Sequence, residues 1–482
     1  MLALGLVWLA VASSAVVFTE PAPTDLLTIA ALVMLPVVGL AWFRPPLLVV
    51  GGVLLAICAM GFIAALNASE TARATTHMAI SLYLSLAAVV FGAFVVRNPQ
   101  AHTRLLLQAH LAGALLAALA GIAGYFDLLP EARDLFTKFD RASGTFKDPN
   151  VFGPYLVPAI VYTLHVWLNR PFGRGLVAAA LLAVLSIGLL LSFSRGAWAG
   201  AGIAVLVYLY INFVTTRRDL DRLRILALVL AGAAALVLVL IAALQFDQIE
   251  RLLAERASLT QSYDIGPEGR FGGHEKAFGV LIDNPFGIGA LEFPQRFHHE
   301  DVHNVYLSMY LNAGWAGGTI HLLLILVTVI LGLRHAMRRT QTQGYFVIAY
   351  AALVATFLQG LLIDTDHWRH LYLLLGMVWA LMSTGQIAVR AGRIKSDRRP
   401  VLLRPIIVLP PTRRAPRIIG RSAQIIELRP RRPARLIGDF NRQPRILGRI
   451  APHRPVRLLR GPAAAIARLP ATGNDNLPPS NR

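Results

Sequence analysis

The chain has 482 residues, 56% of them apolar and only 15% charged, with a mean hydropathy of +0.58. A soluble globular chain is about 45–50% apolar and about 25% charged, so this composition excludes an ordinary soluble enzyme and points to a membrane protein. The net charge of +20 is uneven: residues 391–482 hold 21 of the 46 Lys and Arg but only 4 of the 26 Asp and Glu, which leaves the first 390 residues nearly neutral.

In chain order, twelve apolar runs have spanning length: about 2–18, 26–42, 47–66, 78–96, 105–125, 151–168, 176–193, 196–214, 225–244, 315–333, 345–363 and 370–389. A helix of about 20 apolar residues crosses a hydrocarbon layer of about 30 Å. The expected fold is therefore all-α, a polytopic membrane body with about twelve transmembrane helices. The first run has the length of a signal-peptide core, but no basic residue precedes it. The single cysteine, Cys58, lies inside an apolar run, which excludes an intrachain disulfide and a cysteine metal site.

Loop charge sets the expected orientation. With the N-terminus inside, the inner loops hold 12 basic residues in about 40 positions, including Arg217, Arg218, Arg222 and Arg224, and the outer loops hold 12 in about 110. The outer loops also carry 20 acidic residues against 2 inside. Density thus favours both termini in the cytoplasm, with the basic tail inside. Three polar segments then lie outside: 126–150, the tight turn 194–195, and the long loop 245–303, expected to hold short helices. A long polar loop in so apolar a chain is where chemistry is expected.

The body is taken as 1–390 and the tail as 391–482. The tail repeats short units, PRIIGR at 416–421, PARLIGD at 433–439, PRILGR at 444–449 and PVRLLRG at 455–461, and holds half of the 28 prolines. Repeated proline prevents a long helix, so the tail reads as disordered. Its charge suits anionic lipid of the inner leaflet, or serves topology alone. No fold or aromatic pattern supports nucleic-acid binding.

Several residues on the outer side could carry chemistry. Arg195, in LSFSRGAWAG, sits between two apolar runs with almost no loop. Arginine there either meets a functional partner or snorkels to headgroups. Ser192, Ser194, Gly196 and Gly200 beside it suggest close helix approach. In GTFKDPNVFGPYL at 144–156, Asp148, Pro149 and Asn150 read as a helix start; Lys147, Asp148 and Asn150 are also expected as substrate-binding residues at the outer site. The long loop holds Arg270 in EGRFGGHEK, then IDNPFGIGALEF, then HHEDVHNVYLSMYLNAGWAGG. His299 and His303 stand four apart, but HHEDVH lacks the HExxH order of a zinc helix, so no metal is expected. His303 and Asn304 precede an apolar helix; a histidine there suits a general base near neutral pH, or simply a helix cap. Two arginines such as Arg195 and Arg270 can hold a diphosphate and stabilise its departure. No nucleotide-binding glycine loop accompanies them.

GTFKDPNVFGPYL, SFSRGAWAG, GRFGGHEKAFGVLIDNPFGIGALEF and HNVYLSMYLNAGWAGG together resemble the O-antigen ligase and polymerase superfamily of bacterial envelope proteins. In that family, an arginine after a spanning helix, a GR…NPFGIG loop and an HNxYL helix start recur in this order. The resemblance covers 144–318 well and the rest by layout. It implies an inner-membrane, metal-independent, inverting glycosyltransferase without cofactor. It also implies that the donor is a saccharide on undecaprenyl diphosphate at the periplasmic face. By motif, Arg195 and Arg270 would bind the diphosphate and His303 would activate the acceptor hydroxyl or help bind the donor. Asn304 and Tyr306 belong to the same motif as substrate-binding positions. His274 departs from the family, where tryptophan is frequent. The acceptor is lipid A–core for a ligase, a second lipid-linked saccharide for a polymerase, or a protein for an O-oligosaccharyltransferase. A transporter or flippase is the alternative from another class; it predicts ionisable residues at span centres and broken helices in matching halves. His110 and His165 are among the few mid-span candidates, and no inverted repeat is evident.

Overall fold

A computed structural model describes residues 1–19, 21–169, 172–243, 245 and 266–397. The expected tail falls outside these residues, apart from the end of the last helix, and so does most of the first half of the long loop.

The helices in chain order are α1 (Leu2–Ala12), α2 (Pro23–Val37), α3 (Pro45–Ala64), α4 (Thr71–Arg97), α5 (Pro99–Tyr125), α6 (Ala132–Phe136), α7 (Pro149–Asn169), α8 (Phe172–Leu191), α9 (Arg195–Thr215) and α10 (Asp219–Ala243). Then come α11 (Arg270–Asp283), α12 (Phe293–Arg296), α13 (Val305–Ala336), α14 (Gln343–Gln359) and α15 (Arg369–Asp397). Each of the twelve expected runs overlaps a helix, with bounds that shift by several residues at some ends. Among the described residues, six of these helices are long and apolar enough to cross a membrane, and α1, α2, α8 and α14 are shorter apolar helices. The last helix runs to Asp397, past the expected boundary at 390.

Proline starts several helices for a physical reason: its missing N–H falls where no intrahelical partner exists. Pro23, Pro45, Pro99 and Pro149 all stand at such starts. The membrane character shows in which faces stay uncovered. On α2, Leu26, Ile29, Val33 and Val37 recur at helical spacing and are all at least half exposed, while Asp25, Thr28, Ala31 and Leu35 turn inward. α10 likewise exposes Leu220, Leu223, Leu226 and Leu230. An apolar stripe on the outer face, with polar groups inside, is stable only in an apolar solvent.

Without water to drive association, helices meet through small residues. α4 and α15 approach so closely at Gly92 and Gly376 that a Cβ on Gly376 would lie 2.1 Å from the Ala88 carbonyl oxygen. At Gly113 of α5, a Cβ would meet the Ala12 carbonyl of α1 at 2.5 Å. One continuous core of Phe94, Phe152, Tyr155, Tyr208 and Phe346 runs through the body. Asp25 joins the first and last parts of the chain, accepting two hydrogen bonds of 2.8 Å from the Arg369 guanidinium.

The apolar run expected at 315–333 is the second part of a longer element. α13 begins at Val305 and is broken at Gly314, whose backbone (φ 66°, ψ −176°) is not helical. The break accepts the NPFGIG segment: Ile288 N–H donates to the Leu311 carbonyl (2.8 Å) and Trp315 N–H to the Pro285 carbonyl (2.9 Å). Ala277, Ile288, Phe293, Val302 and Leu311 then form a small core that holds α11 on α13. The segment 126–150 holds α6 and a two-residue hairpin pairing Thr137 with Ala142 and Lys138 with Arg141.

Candidate functional site

The expected site residues stand at helix starts. Asp148 caps α7: its Oδ1 accepts from Asn150 N–H (2.7 Å) and its carbonyl from Val151 and Phe152. Asn150 Oδ1 accepts from Arg141 Nη2 (2.8 Å), and Arg141 Nε donates to the Ser192 carbonyl (2.8 Å). Buried Arg141, which the sequence did not single out, thus clamps the start of α7 to the α8–α9 turn. That turn presents Arg195, half-buried, as the first residue of α9. Gly196 and Gly200 lie against Gln359 at the end of α14, so the small residues after Arg195 do allow a close approach.

The next links bring in the long loop. Gly360, just after α14, accepts a hydrogen bond from Val305 N–H (2.8 Å), which seats the start of α13 beside the start of α9. Asn304 caps α13, its Oδ1 accepting from Tyr306 and Leu307 N–H (3.1 and 3.3 Å). Tyr306 Oη donates to the Phe357 carbonyl (2.7 Å). Both motif residues are thus engaged in placing the helix, whatever they also offer a substrate. His303 precedes the cap with φ 53°, a left-handed conformation that a non-glycine residue adopts at a cost.

His303 is half-buried, and its charge balance reveals its neighbours. Its pKa lies below the ordinary 6.5, first because burial disfavours the charged ring and then because the Arg270 guanidinium repels it; Asp301, Glu300 and Asp148 pull less strongly the other way. Arg270, His303 and Asp148, from three separate segments, therefore share one electrostatic environment. His274 rests against the Val302 and His303 backbone, with its pKa lowered first by burial. In this chain the departing position packs as part of the loop.

The α14–α15 loop adds groups that the sequence analysis missed. His303 N–H donates to Asp364 Oδ2 (3.1 Å), and Ser308 Oγ donates to Asp364 Oδ1 (2.5 Å). His303 Nδ1 lies 3.9 Å from Asp364 Oδ2. Burial, with the neighbouring Asp366 charge, pushes Asp364 up to about 7. Asp366 goes the opposite way. Burial would raise it, but the His367 charge and the His77 hydrogen bond hold it well below the usual carboxylate range. The signal was present as DTDHWRH, five ionisable residues between two apolar runs. A loop that short, between two spans, reads in sequence as a plain connection.

A cavity of about 230 Å³ opens here, lined by Lys147, Asp148, Tyr155, His367, Trp368 and Arg369 among others. Lys147 is exposed and Asp148 half-buried. A cavity of about 350 Å³ lies at the opposite ends of α7 and α14, lined by Arg104, Tyr162, His165 and Tyr345. It is remote from every expected site residue. The two mid-span histidines are spoken for: His110 Nε2 bonds the Tyr155 carbonyl (3.0 Å) and His165 Nδ1 bonds Tyr208 Oη (2.9 Å). His110 also packs in a small buried group, its ring centroid 4.4 Å from that of Tyr155 and 6.5 Å from that of His370.

Residues 178–322 match the family model described as O-antigen ligase. The match holds α9, α11 and the first part of α13, with Arg195, Arg270 and His303 inside it; Lys147, Asp148 and Asn150 precede it. No curated protein matches the chain.

Proposed function

We propose, for a chain that belongs to the O-antigen ligase and polymerase superfamily, a glycosyltransferase that takes saccharide from an undecaprenyl-diphosphate donor at the periplasmic face. The observation that carries this reading is the convergence of Arg270, His303 and Asp148 in one electrostatic environment. Arg270 and Arg195 supply guanidinium groups for the diphosphate, where charge grows as the glycosidic bond breaks. His303, neutral near pH 7, accepts the acceptor hydroxyl's proton. The oxygen forms its bond to the anomeric carbon as the carbon–oxygen bond to diphosphate breaks on the opposite face. The products are an inverted glycoside, undecaprenyl diphosphate and a protonated imidazole. Transfer needs no metal in this scheme, because the two arginines do the charge work. The cavity beside Lys147 and Asp148, with apolar walls and a few charged groups at its edge, is assigned to the acceptor, either lipid A–core or a second lipid-linked saccharide.

The test is the envelope glycan profile of a strain lacking the protein, with lipopolysaccharide and secreted polymer resolved separately. Bare lipid A–core with accumulated undecaprenyl-linked polymer marks a ligase. Loss of long polymer with single units retained marks a polymerase. Purified protein given the lipid-linked donor should release undecaprenyl diphosphate as glycan is transferred. An unchanged glycan profile and no release would overturn the proposal.

A further inference from the structure

We infer that His77, Asp366 and His367 form a divalent transition-metal site that ties α4 to the α14–α15 loop. His77 lies in the second turn of α4, and Asp366 and His367 lie in the loop before α15. His77 Nε2 stands 3.0 Å from Asp366 Oδ2, with both side chains only 13% exposed. The His77 and His367 rings are 4.0 Å apart between centroids. One donor atom from each of the three residues falls within 4.8 Å of the others. Ligands at about 2.0–2.1 Å around a tetrahedral zinc are roughly 3.3 Å apart, so small side-chain adjustments would bring the set into coordination.

The chemistry of the donors agrees. Two imidazoles and one carboxylate suit zinc or a similar divalent ion, with one position left open. Ser81 Oγ, 3.0 Å from His367 Nε2, orients that ring as outer-shell partners of metal ligands do. Three ionisable side chains at the end of a spanning helix are costly unless they serve one another or a bound ion. A further observation points the same way. Asp366, Ser81 and His321 line one small cavity of about 50 Å³, and buried His321 Nε2 has no hydrogen-bond partner among the described residues. The other candidate group, Glu268, His298 and His299, is weaker, since Glu268 and His299 are well exposed.

The ion would act as a clip. It would fix the loop that carries Asp364, and Asp364 in turn holds the His303 backbone. It would not touch the diphosphate, and although His367 also lines the cavity given to the acceptor, metal binding can hold or fail whatever the fate of the transferase scheme.

Metal binding can be read without any glycan. The full-length protein, purified without a histidine tag and stripped with chelator, is titrated with Co²⁺ and Zn²⁺. The expected result is stoichiometric binding, visible d–d absorption from Co²⁺, and a thermal midpoint raised by Zn²⁺. His77→Gln and Asp366→Asn should each weaken binding by more than the roughly 10–100-fold that loss of an outer-shell partner costs. His299→Ala should bind as the wild type does. Zinc-edge X-ray absorption of the wild type needs no variant and should show nitrogen and oxygen neighbours with imidazole scattering. The inference is overturned if the wild type binds no more tightly than His77→Gln, if His299→Ala abolishes binding, or if imidazole scattering is absent.

Discussion

At the residue scale, His303 sits between one guanidinium and several carboxylates, and the balance decides when it can take a proton. A base must be neutral to act, and burial with Arg270 lowers the His303 pKa below 6.5. The neutral ring therefore dominates at pH 7, and protonation removes the base as pH falls. Transfer rate should fall on the acid side with a midpoint below 6.5, measured as kcat on the lipid-linked donor. A midpoint above 6.5 would contradict the role given to the ring. Arg270→Ala or Arg195→Ala removes a donor from the departing diphosphate. By analogy with an oxyanion-hole donor, each should cost about 2–4 kcal/mol of transition-state stabilisation, or two to three decades in rate. Both variants should still insert in the membrane; wild-type turnover in either would refute the assignment.

At the element scale, the long loop is held by geometry that only glycine allows. Gly314 breaks α13 with φ 66° and ψ −176°, a region essentially closed to residues with a Cβ. A Cβ there would also stand 2.7 Å from the Phe286 carbonyl carbon and the Pro285 carbonyl oxygen. Gly287 and Gly289, both with positive φ, carry the NPFGIG segment into that break. Asn67 Nδ2 donates to the Gly287 carbonyl (3.0 Å), and Ser69 Oγ lies 2.9 Å from both oxygens of Glu292. Gly314→Ala should therefore loosen α11 from α13 and disturb Arg270. The strain alone is on the order of 1–3 kcal/mol, so the thermal midpoint should fall and activity with it. An unshifted midpoint would mean that the break is not needed to dock the loop.

At the scale of the whole molecule, orientation rests on loop charge and is open to direct test. In a Cys58→Ser background, His299→Cys and Arg338→Cys place thiols at exposed positions on opposite sides of α13. A membrane-impermeant maleimide applied from the periplasm should label position 299 and spare position 338. The reverse pattern would invert the topology and remove the periplasmic donor site.

The sequence by itself determined the membrane class, the places where apolar runs become helices and the order of the motifs. Those features are local: apolar length fixes a spanning helix, proline and Asp or Asn fix its start, and both are written in consecutive residues. The helix start at Asp148, the arginine opening α9 and the histidine before α13 were legible for that reason. Tertiary structure alone decided what lies beside them. Arg141 clamping α7 to the α8–α9 turn, Asp364 holding the His303 backbone, and the His77, Asp366 and His367 cluster each join residues 50 to 290 positions apart. The break at Gly314 was hidden too, because an isolated glycine inside an apolar run looks like any helical glycine until another segment is seen docked against it. Contacts of that kind depend on how spans pack against one another, and packing among equally apolar helices leaves little trace in their hydropathy.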